Sequence, residues 1–314
     1  MPTIHKPMKS QLLHTLTAVL ISASLHAEDP AKERIQLRME NISRQEEILQ
    51  KATDEQTRKS AEAMIAVLYR ELKTDFDPKN LDNYTLVRVG DYLRTKTSTP
   101  REALLYYNEA LGREDPSYRD HALMGRADVY GLSPEAADLD KAVEDYTEIY
   151  EKSEDKSTRE LALLRKIRVC MKKKDYAKAE EWAQVYLDRE KTGFTKYSGN
   201  VGLLLAESYD KQGRKEDAIA AYVKIWSVHM GHIQVSAPAL ARWMELLWER
   251  NQPAAGNGRP DRQAAYEHGA RYIQLTSRFK DKLTKEELEP WQVVEKLVKT
   301  YGASPEIKAA GKKK

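Results

Sequence analysis

The sequence predicts an all-α protein built from stacked helix–turn–helix units, and two observations carry this prediction. The 314 residues include only 14 Gly and 12 Pro, whereas charged residues make up 32% of the chain and hydrophobic residues 41%. Such a profile is typical of helical proteins and atypical of β-sandwiches, which need frequent turns. In addition, a pattern of alanine and aromatic residues recurs at a near-constant interval, which indicates a repeat architecture.

Residues 1–27 have the three parts of a secretory signal peptide. Lys6 and Lys9 precede an apolar run, LLHTLTAVLISASL, and Ala27 follows at a cleavage point typical of such signals. The run is too short for a membrane-spanning helix, which needs about 20 apolar residues. We therefore expect an exported protein, periplasmic or in the cell envelope or secreted. A buried N-terminal helix or an uncleaved anchor is the alternative.

Residues 28–79 are expected to form a helical hairpin that packs on the first repeat. Apolar residues recur at helical spacing in two stripes. They are Ile35, Met39, Ile42 and Leu49 in the first stripe, and Ala61, Met64, Val67, Leu68 and Leu72 in the second. A short coiled coil is the alternative, because Ile35, Ile42 and Leu49 lie seven residues apart.

Residues 80–276 contain about five units, each ending in a helix that begins near an alanine. The alanines are Ala103, Ala142, Ala179, Ala218 and Ala265, at separations of 39, 37, 39 and 47 residues. Two helices approach closely only where small side chains face each other, so we expect these alanines to be buried between paired helices. Tyr107, Tyr146 and Tyr222 follow three of them by four residues and are expected to reach the next unit, with the hydroxyl near a partner.

The stretch from Leu203 to Ile225 resembles the tetratricopeptide repeat (TPR) family. The residues at family spacings are Leu205, Ala206, Tyr209, Gly213, Ala218 and Tyr222. The resemblance implies a right-handed superhelical solenoid over residues 80–276. Residues 277–314 would then supply a capping helix and a basic tail. The units depart from the family period of about 34 residues by insertions, and a non-repeating helical bundle is the alternative.

No stretch of the sequence carries a recognisable catalytic or cofactor motif. Neither a phosphate-binding glycine loop nor a GxSxG elbow occurs. His229 and His232 lie three residues apart, but a metal site needs further ligands, and Cys170 lies on an apolar stripe. We therefore expect no enzyme activity, no cofactor and no metal; an enzyme with an unrecognised site is the less favoured alternative.

The TPR resemblance places ligand contacts on the first helix of each unit, which lines the concave surface. The matching residues here are Tyr84, Asp91, Arg94, His121, Asp128, Arg168, Met171, Asn200, Glu207, Asp210, Lys211, Glu245 and Trp248. Because most of them are acidic or aromatic, they predict a groove for an extended or helical peptide with basic residues. Solvated carboxylates without a ligand are the alternative.

These observations predict a non-enzymatic protein–protein interaction scaffold of the cell envelope. Removal of residues 1–27 leaves 50 basic against 49 acidic residues, so no strongly basic face points to nucleic acid. No later stretch is apolar enough to span a membrane. The alternative function is a self-associating structural protein, which would form a homo-oligomer.

Overall fold

The computed structural model describes residues 29–189, 196–253 and 259–311, and all regular elements within these ranges are helical. The predicted signal peptide lies outside the described residues. The chain divides into two compact units, which meet between Val129 and Tyr130. We call residues up to Val129 unit 1 and residues from Tyr130 onwards unit 2. Among the helices of the described ranges, none is long and apolar enough to cross a membrane.

In the described part of unit 1, short turns connect the helices. The last of these helices contains the boundary with unit 2. The helices are α1 (Pro30–Lys51), α2 (Glu55–Asp75), α3 (Asn83–Lys96), α4 (Ala103–Leu111) and α5 (Arg119–Leu132). From α1 to α4, each helix packs against the next. Single turns of 3-10 helix at Pro78–Asn80 and Pro100–Glu102 precede α3 and α4.

Aspartate side chains fix where the first three helices begin. Asp29, Asp54 and Asp82 each accept a hydrogen bond from a backbone N–H in the first turn, at 3.0, 2.8 and 2.7 Å. Such caps satisfy N–H groups that have no partner inside the helix. The local sequence therefore sets the boundaries of the N-terminal helices before any tertiary packing is considered.

Unit 2 is also built from consecutively packed helices in its described residues. It contains α6 (Ala136–Lys152), α7 (Lys156–Lys172), α8 (Tyr176–Arg189), α9 (Ser198–Lys211), α10 (Lys215–Val228), α11 (Ile233–Arg250), α12 (Asp261–Thr276), α13 (Lys285–Gly302) and α14 (Pro305–Gly311). Each helix from α6 to α13 packs against its successor, and α9 also contacts α7 and α11. The last long helix, α13, packs on both α11 and α12 and buries Trp291, whose Nε1 donates to Thr276 Oγ1 at 2.8 Å.

The five repeating alanines are all fully buried, as the sequence predicts. Ala127 on α5 and Ala206 on α9 are also fully buried. Glycines have the same role where a ring passes between helices. The ring of Tyr107 lies so close to α3 and α5 that a Cβ added at Gly90 or Gly125 would come within 2.7 or 2.3 Å of it. Small residues therefore let the helices approach and leave room for the ring.

Two inter-helix turns in unit 2 have the same backbone geometry despite different sequences. Gly213, between α9 and α10, has φ +77°, and Lys174, at the equivalent place between α7 and α8, has φ +61°. In both turns the following N–H returns to a carbonyl five residues earlier, at 2.9 Å from Arg214 to Tyr209 and 3.0 Å from Asp175 to Cys170. Glycine adopts this left-handed conformation without strain, whereas lysine does so only when the surrounding fold imposes it.

Side-chain contacts between helices recur at a separation of about one helical hairpin. Within unit 2, Arg214 reaches Glu180, Arg242 reaches Asp210 and Lys215 reaches Glu249, at separations of 34, 32 and 34 residues. Within unit 1, Arg94 reaches Asp128 across 34 residues. The equivalent surfaces of successive hairpins therefore lie side by side within each unit.

These observations confirm the predicted all-α fold of consecutively packed helices, the arrangement found in α-solenoids. The right-handed sense of a superhelix stays a prediction. The same holds for the predicted division into segments 28–79, 80–276 and 277–314.

The fit of the Tyr107 ring against α5 leads to a matched pair of predictions. Gly125→Ala should lower the free energy of unfolding by about 1–2 kcal/mol, because the clash with the ring exceeds the gain in helix propensity. Gly131→Ala, on the same helix, should be neutral or stabilising by up to about 1 kcal/mol, because its Cβ would meet only Val169 Cγ2 at 3.5 Å. Urea denaturation followed by circular dichroism measures both. Equal effects of the two changes would contradict this account.

The fully buried Ala218 leads to a second prediction. Ala218→Leu should overpack the contact between α9 and α10 and lower the free energy of unfolding by about 1–3 kcal/mol. Ala220→Leu is the control, because Ala220 is exposed on the same helix. If both variants melt like the parent chain, the packing role of Ala218 is wrong.

Candidate functional site

The thirteen residues predicted to line a groove separate into two sets. Five lie in unit 1, on α3 and α5. Eight lie in unit 2, on α7, α9 and α11.

The unit 1 set converges on the carboxylate of Asp91. Tyr107 OH donates to Asp91 Oδ1 at 2.8 Å, Arg94 Nη2 donates to the same oxygen at 3.1 Å, and His121 Nε2 lies 2.7 Å from Oδ2. Arg94 also donates to Asp128 Oδ2 through Nη1 at 2.9 Å. Four predicted residues from two helices are thus joined into one network, with the hydroxyl of Tyr107 at its buried end.

The network shifts the ionisation of its members. Burial by itself raises the pKa of Asp91, but the hydrogen bonds from His121, Tyr107 and Arg94, together with the charge of His121, lower it below the ordinary value. Burial, reinforced by the charge of Asp91, raises the pKa of the Tyr107 hydroxyl. Asp91 therefore remains a carboxylate, and Tyr107 remains a neutral donor to it.

An exposed aromatic pair lies beside this network, between the same two helices. The rings of Tyr84 on α3 and Tyr118, which directly precedes α5, have centroids 5.6 Å apart and planes inclined by 51°. Tyr84 is 37% exposed and Tyr118 is 46% exposed. Tyr118 also has φ +63°, a left-handed conformation that strains a bulky residue. Local strain of this kind recurs at binding sites.

A pocket of about 440 Å³ opens between α3 and the first two helices and is partly lined by Asp91. Arg88 crosses it, donating through Nη2 to both oxygens of Glu46 at 2.5 and 2.6 Å, and through Nε to Tyr69 OH at 3.2 Å. Tyr69 stacks on Tyr92 with centroids 4.3 Å apart, and burial raises its pKa to about 12. The Arg88 guanidinium also lies 5.9 Å from the Tyr84 ring. Arg88 therefore links the pocket to the aromatic pair.

The unit 2 set is organised around Arg242, which the sequence analysis did not select. Arg242 donates to Asp210 through Nε at 2.6 Å and to Glu245 through Nη1 at 2.8 Å. Both carboxylates are predicted groove residues. As in unit 1, an arginine lies between acidic residues of neighbouring first helices and neutralises part of their charge.

The remaining residues of the unit 2 set are dispersed. Trp248 is half-buried, because Tyr301 of α13 stacks on its indole with centroids 3.8 Å apart and Arg262 lies 5.1 Å from it. Met171 Sδ accepts a hydrogen bond from Ser208 at 3.3 Å. Arg168 and Lys211 are exposed and Glu207 is half-buried. Asn200 lines a separate pocket of about 620 Å³ with His229 and His232.

The sequence offers His229 and His232 for metal binding and Cys170 for nucleophilic chemistry, and the structure describes all three. The rings of His229 and His232 lie 6.2 Å apart, and within residues 29–189, 196–253 and 259–311 no group of three or more His, Cys, Asp or Glu side chains is arranged to hold a metal ion. Cys170 is buried, and burial raises the pKa of its thiol, which disfavours the reactive thiolate.

Comparison with known proteins adds no relative: no family model matches the chain, and no curated protein matches it. The candidate site is therefore defined by the geometry of its own residues. That geometry gives unit 1 a continuous surface with exposed aromatic rings, a charged network and an adjoining pocket. Its charge is mixed rather than acidic, because Arg94 and Arg88 are paired with the carboxylates.

The Asp91 network leads to a prediction with a defined pH dependence. Asp91→Asn should lower the free energy of unfolding at pH 7 by about 1–3 kcal/mol, because Tyr107, Arg94 and His121 lose a charged partner. The folded-state pKa of Asp91 is depressed, so its contribution is present above the unfolded value of about 3.9 and is lost as the pH falls through the folded value. The gap between the parent and Asp91→Asn should therefore shrink below about pH 4.

Urea titrations at several pH values measure this gap. Glu62→Gln is the control, because Glu62 is exposed beside the same pocket. A gap that stays constant across the acidic range would show that the Asp91 carboxylate is not held in this way.

Proposed function

We propose that this chain is a non-enzymatic protein–protein interaction scaffold of the TPR type, in which the α3–α5 surface of unit 1 binds a peptide segment or helix of a partner protein. One observation carries the proposal. Tyr84 lies about two helical turns before Asp91 on α3, and its ring partner Tyr118 lies three residues before His121, which contacts Asp91. Together they make one surface that combines apolar area with fixed polar groups.

Such a surface has the properties of a peptide-binding site. Tyrosine rings supply a large contact area at low cost in side-chain entropy, and their hydroxyls add hydrogen bonds. Aromatic residues in the centre of an interface carry a large share of binding energy. Tyr84 and Tyr118 are exposed although their rings would be favoured inside a core, so a partner that covers them would gain apolar burial.

The mixed charge of the surface bears on the choice of partner. The sequence predicts an acidic, aromatic-edged groove for an extended or helical peptide with basic residues. Arg94 neutralises part of the charge of Asp91 and Asp128, and Arg88 does so for Glu46. We therefore assign the selectivity of this surface to the aromatic pair and to hydrogen bonding, with net charge as a smaller contribution.

Two further observations support a scaffold of TPR type in the cell envelope. The recurring contact separations of 32–34 residues are close to the family period of about 34. The tripartite pattern of residues 1–27 supports export. Export would bring the α3–α5 surface to partners of the periplasm or cell envelope.

The aromatic pair gives a direct test. Tyr84→Ala combined with Tyr118→Ala should reduce retention of the native partner at least about tenfold, because two central aromatic contacts together exceed about 1.4 kcal/mol. The measurement is quantitative affinity capture from the native cell envelope, with the parent chain as reference. A photo-crosslinking residue at position 84 should label the same partner.

Val67→Ala combined with Leu105→Ala is the matched control. Both residues are exposed apolar side chains of unit 1, on α2 and α4. Undiminished capture by the tyrosine variant, with a normal melting curve, would refute the assignment of the site. Crosslinks from position 84 only to a second copy of this chain would instead support the self-associating alternative, which light scattering would verify.

A further inference from the structure

A second surface, in unit 2, has a different chemistry from the α3–α5 surface. It lies on the outward face of α12 and on the 3-10 segment Ser277–Lys282 that follows. We call it the arginine groove and define it by Arg259, Arg271, Leu275 and Arg278, which line a concave volume of about 840 Å³. Arg271, Leu275 and Arg278 recur at spacings of four and three residues, so they share one face of the chain here.

The positive charge of the arginine groove is largely uncompensated. Glu267 is the acidic residue of its lining, and it pairs with Arg259. In the part of unit 2 that the structure describes, no carboxylate forms an ion pair with Arg271 or Arg278. In contrast, Arg94 forms ion pairs with two carboxylates and Arg242 with three.

His268, which also lines the groove, lies close enough to Arg259 and Arg271 for their charges to act on its ring. His268 packs between Trp226 and Trp243, with ring centroids 5.5 Å from each. Burial lowers its pKa, and the charges of Arg259 and Arg271 lower it further against the smaller effect of Glu267. The two lining arginines without a carboxylate partner among the described residues, Arg271 and Arg278, make the groove favourable for an anion.

Apolar side chains adjoin the free guanidinium groups. Leu275 is 41% exposed, and Phe279 is 45% exposed. The Arg278 guanidinium lies 4.6 Å from the Phe279 ring, so its charge and this apolar surface are neighbours. A ligand that matches the groove must offer anionic and apolar groups within a few ångströms of each other.

We propose that the arginine groove binds an acidic peptide segment of a partner protein. Its carboxylates would pair with Arg271 and Arg278, and an interspersed apolar side chain would pack on Leu275 and Phe279. The planar guanidinium fork matches carboxylate oxygens in a bidentate way. The site is concave, so a peptide can fill it, whereas a flat membrane surface would contact only its rim. This surface shares no residue with the α3–α5 surface, and its test does not depend on that proposal.

Fluorescence anisotropy with a labelled peptide in which Glu and Leu alternate tests the proposal, with the whole exported chain as receptor. The expected result is saturable binding that weakens with added salt and is lost when Gln replaces Glu in the peptide. Arg271→Gln combined with Arg278→Gln should weaken binding by roughly tenfold or more. Both residues are exposed, so this variant should melt at the temperature of the parent chain.

Arg58→Gln combined with Arg70→Gln is the charge-matched control. It removes two exposed arginines from α2 of unit 1 and should leave binding unchanged. Equal loss of binding in both double variants would overturn the proposal, because it would reflect net charge alone. Failure of the acidic peptide to bind would overturn it too. So would preference for phosphatidylglycerol vesicles or single-stranded DNA over the peptide, since the ligand would then be a phosphate-bearing surface or polymer.

Discussion

The close approach of neighbouring helices at small residues is the constraint on which the rest of this structure depends. Where alanine or glycine faces a neighbour, the helix axes can come together and a tyrosine ring can pass between them, as Tyr107 does beside Gly90 and Gly125. A ring wedged in this way buries a large apolar area. Its hydroxyl reaches the opposite helix face, so the same side chain joins the core to the polar network around Asp91.

That packing determines which side chains face each other along the surface. Once successive hairpins lie in register, residues about 34 positions apart become neighbours, and arginines find carboxylates on the adjacent hairpin. Exposed ion pairs contribute little to stability individually. Their effect here is to fix the orientation of long side chains and to remove net charge from the predicted groove, whereas Arg271 and Arg278 keep theirs.

Sequence reasoning predicted the helical fold and the buried alanines because both follow from spacing along one chain. It also selected five unit 1 residues that meet at one surface. It missed Arg88, Tyr118 and Arg242, because their roles depend on partners that lie far away in sequence, such as Glu46 or Asp210. Trp248 was selected by position, yet Tyr301 from α13 stacks on it. This contact could not be predicted, because no sequence pattern relates α11 to α13.

The Asp91 carboxylate has one consequence for any molecule that docks beside it. Its two oxygens already serve Tyr107, Arg94 and His121, and the same bonds tie α3 to α4 and α5. A cation that displaced one of these donors would weaken the hydrogen bonds that hold α3 against α4 and α5. The proposed binding surface and the helix contacts therefore share the same atoms. This limits the affinity that a ligand can gain through Asp91, and it favours ligands that leave the hydrogen bonds of this carboxylate intact.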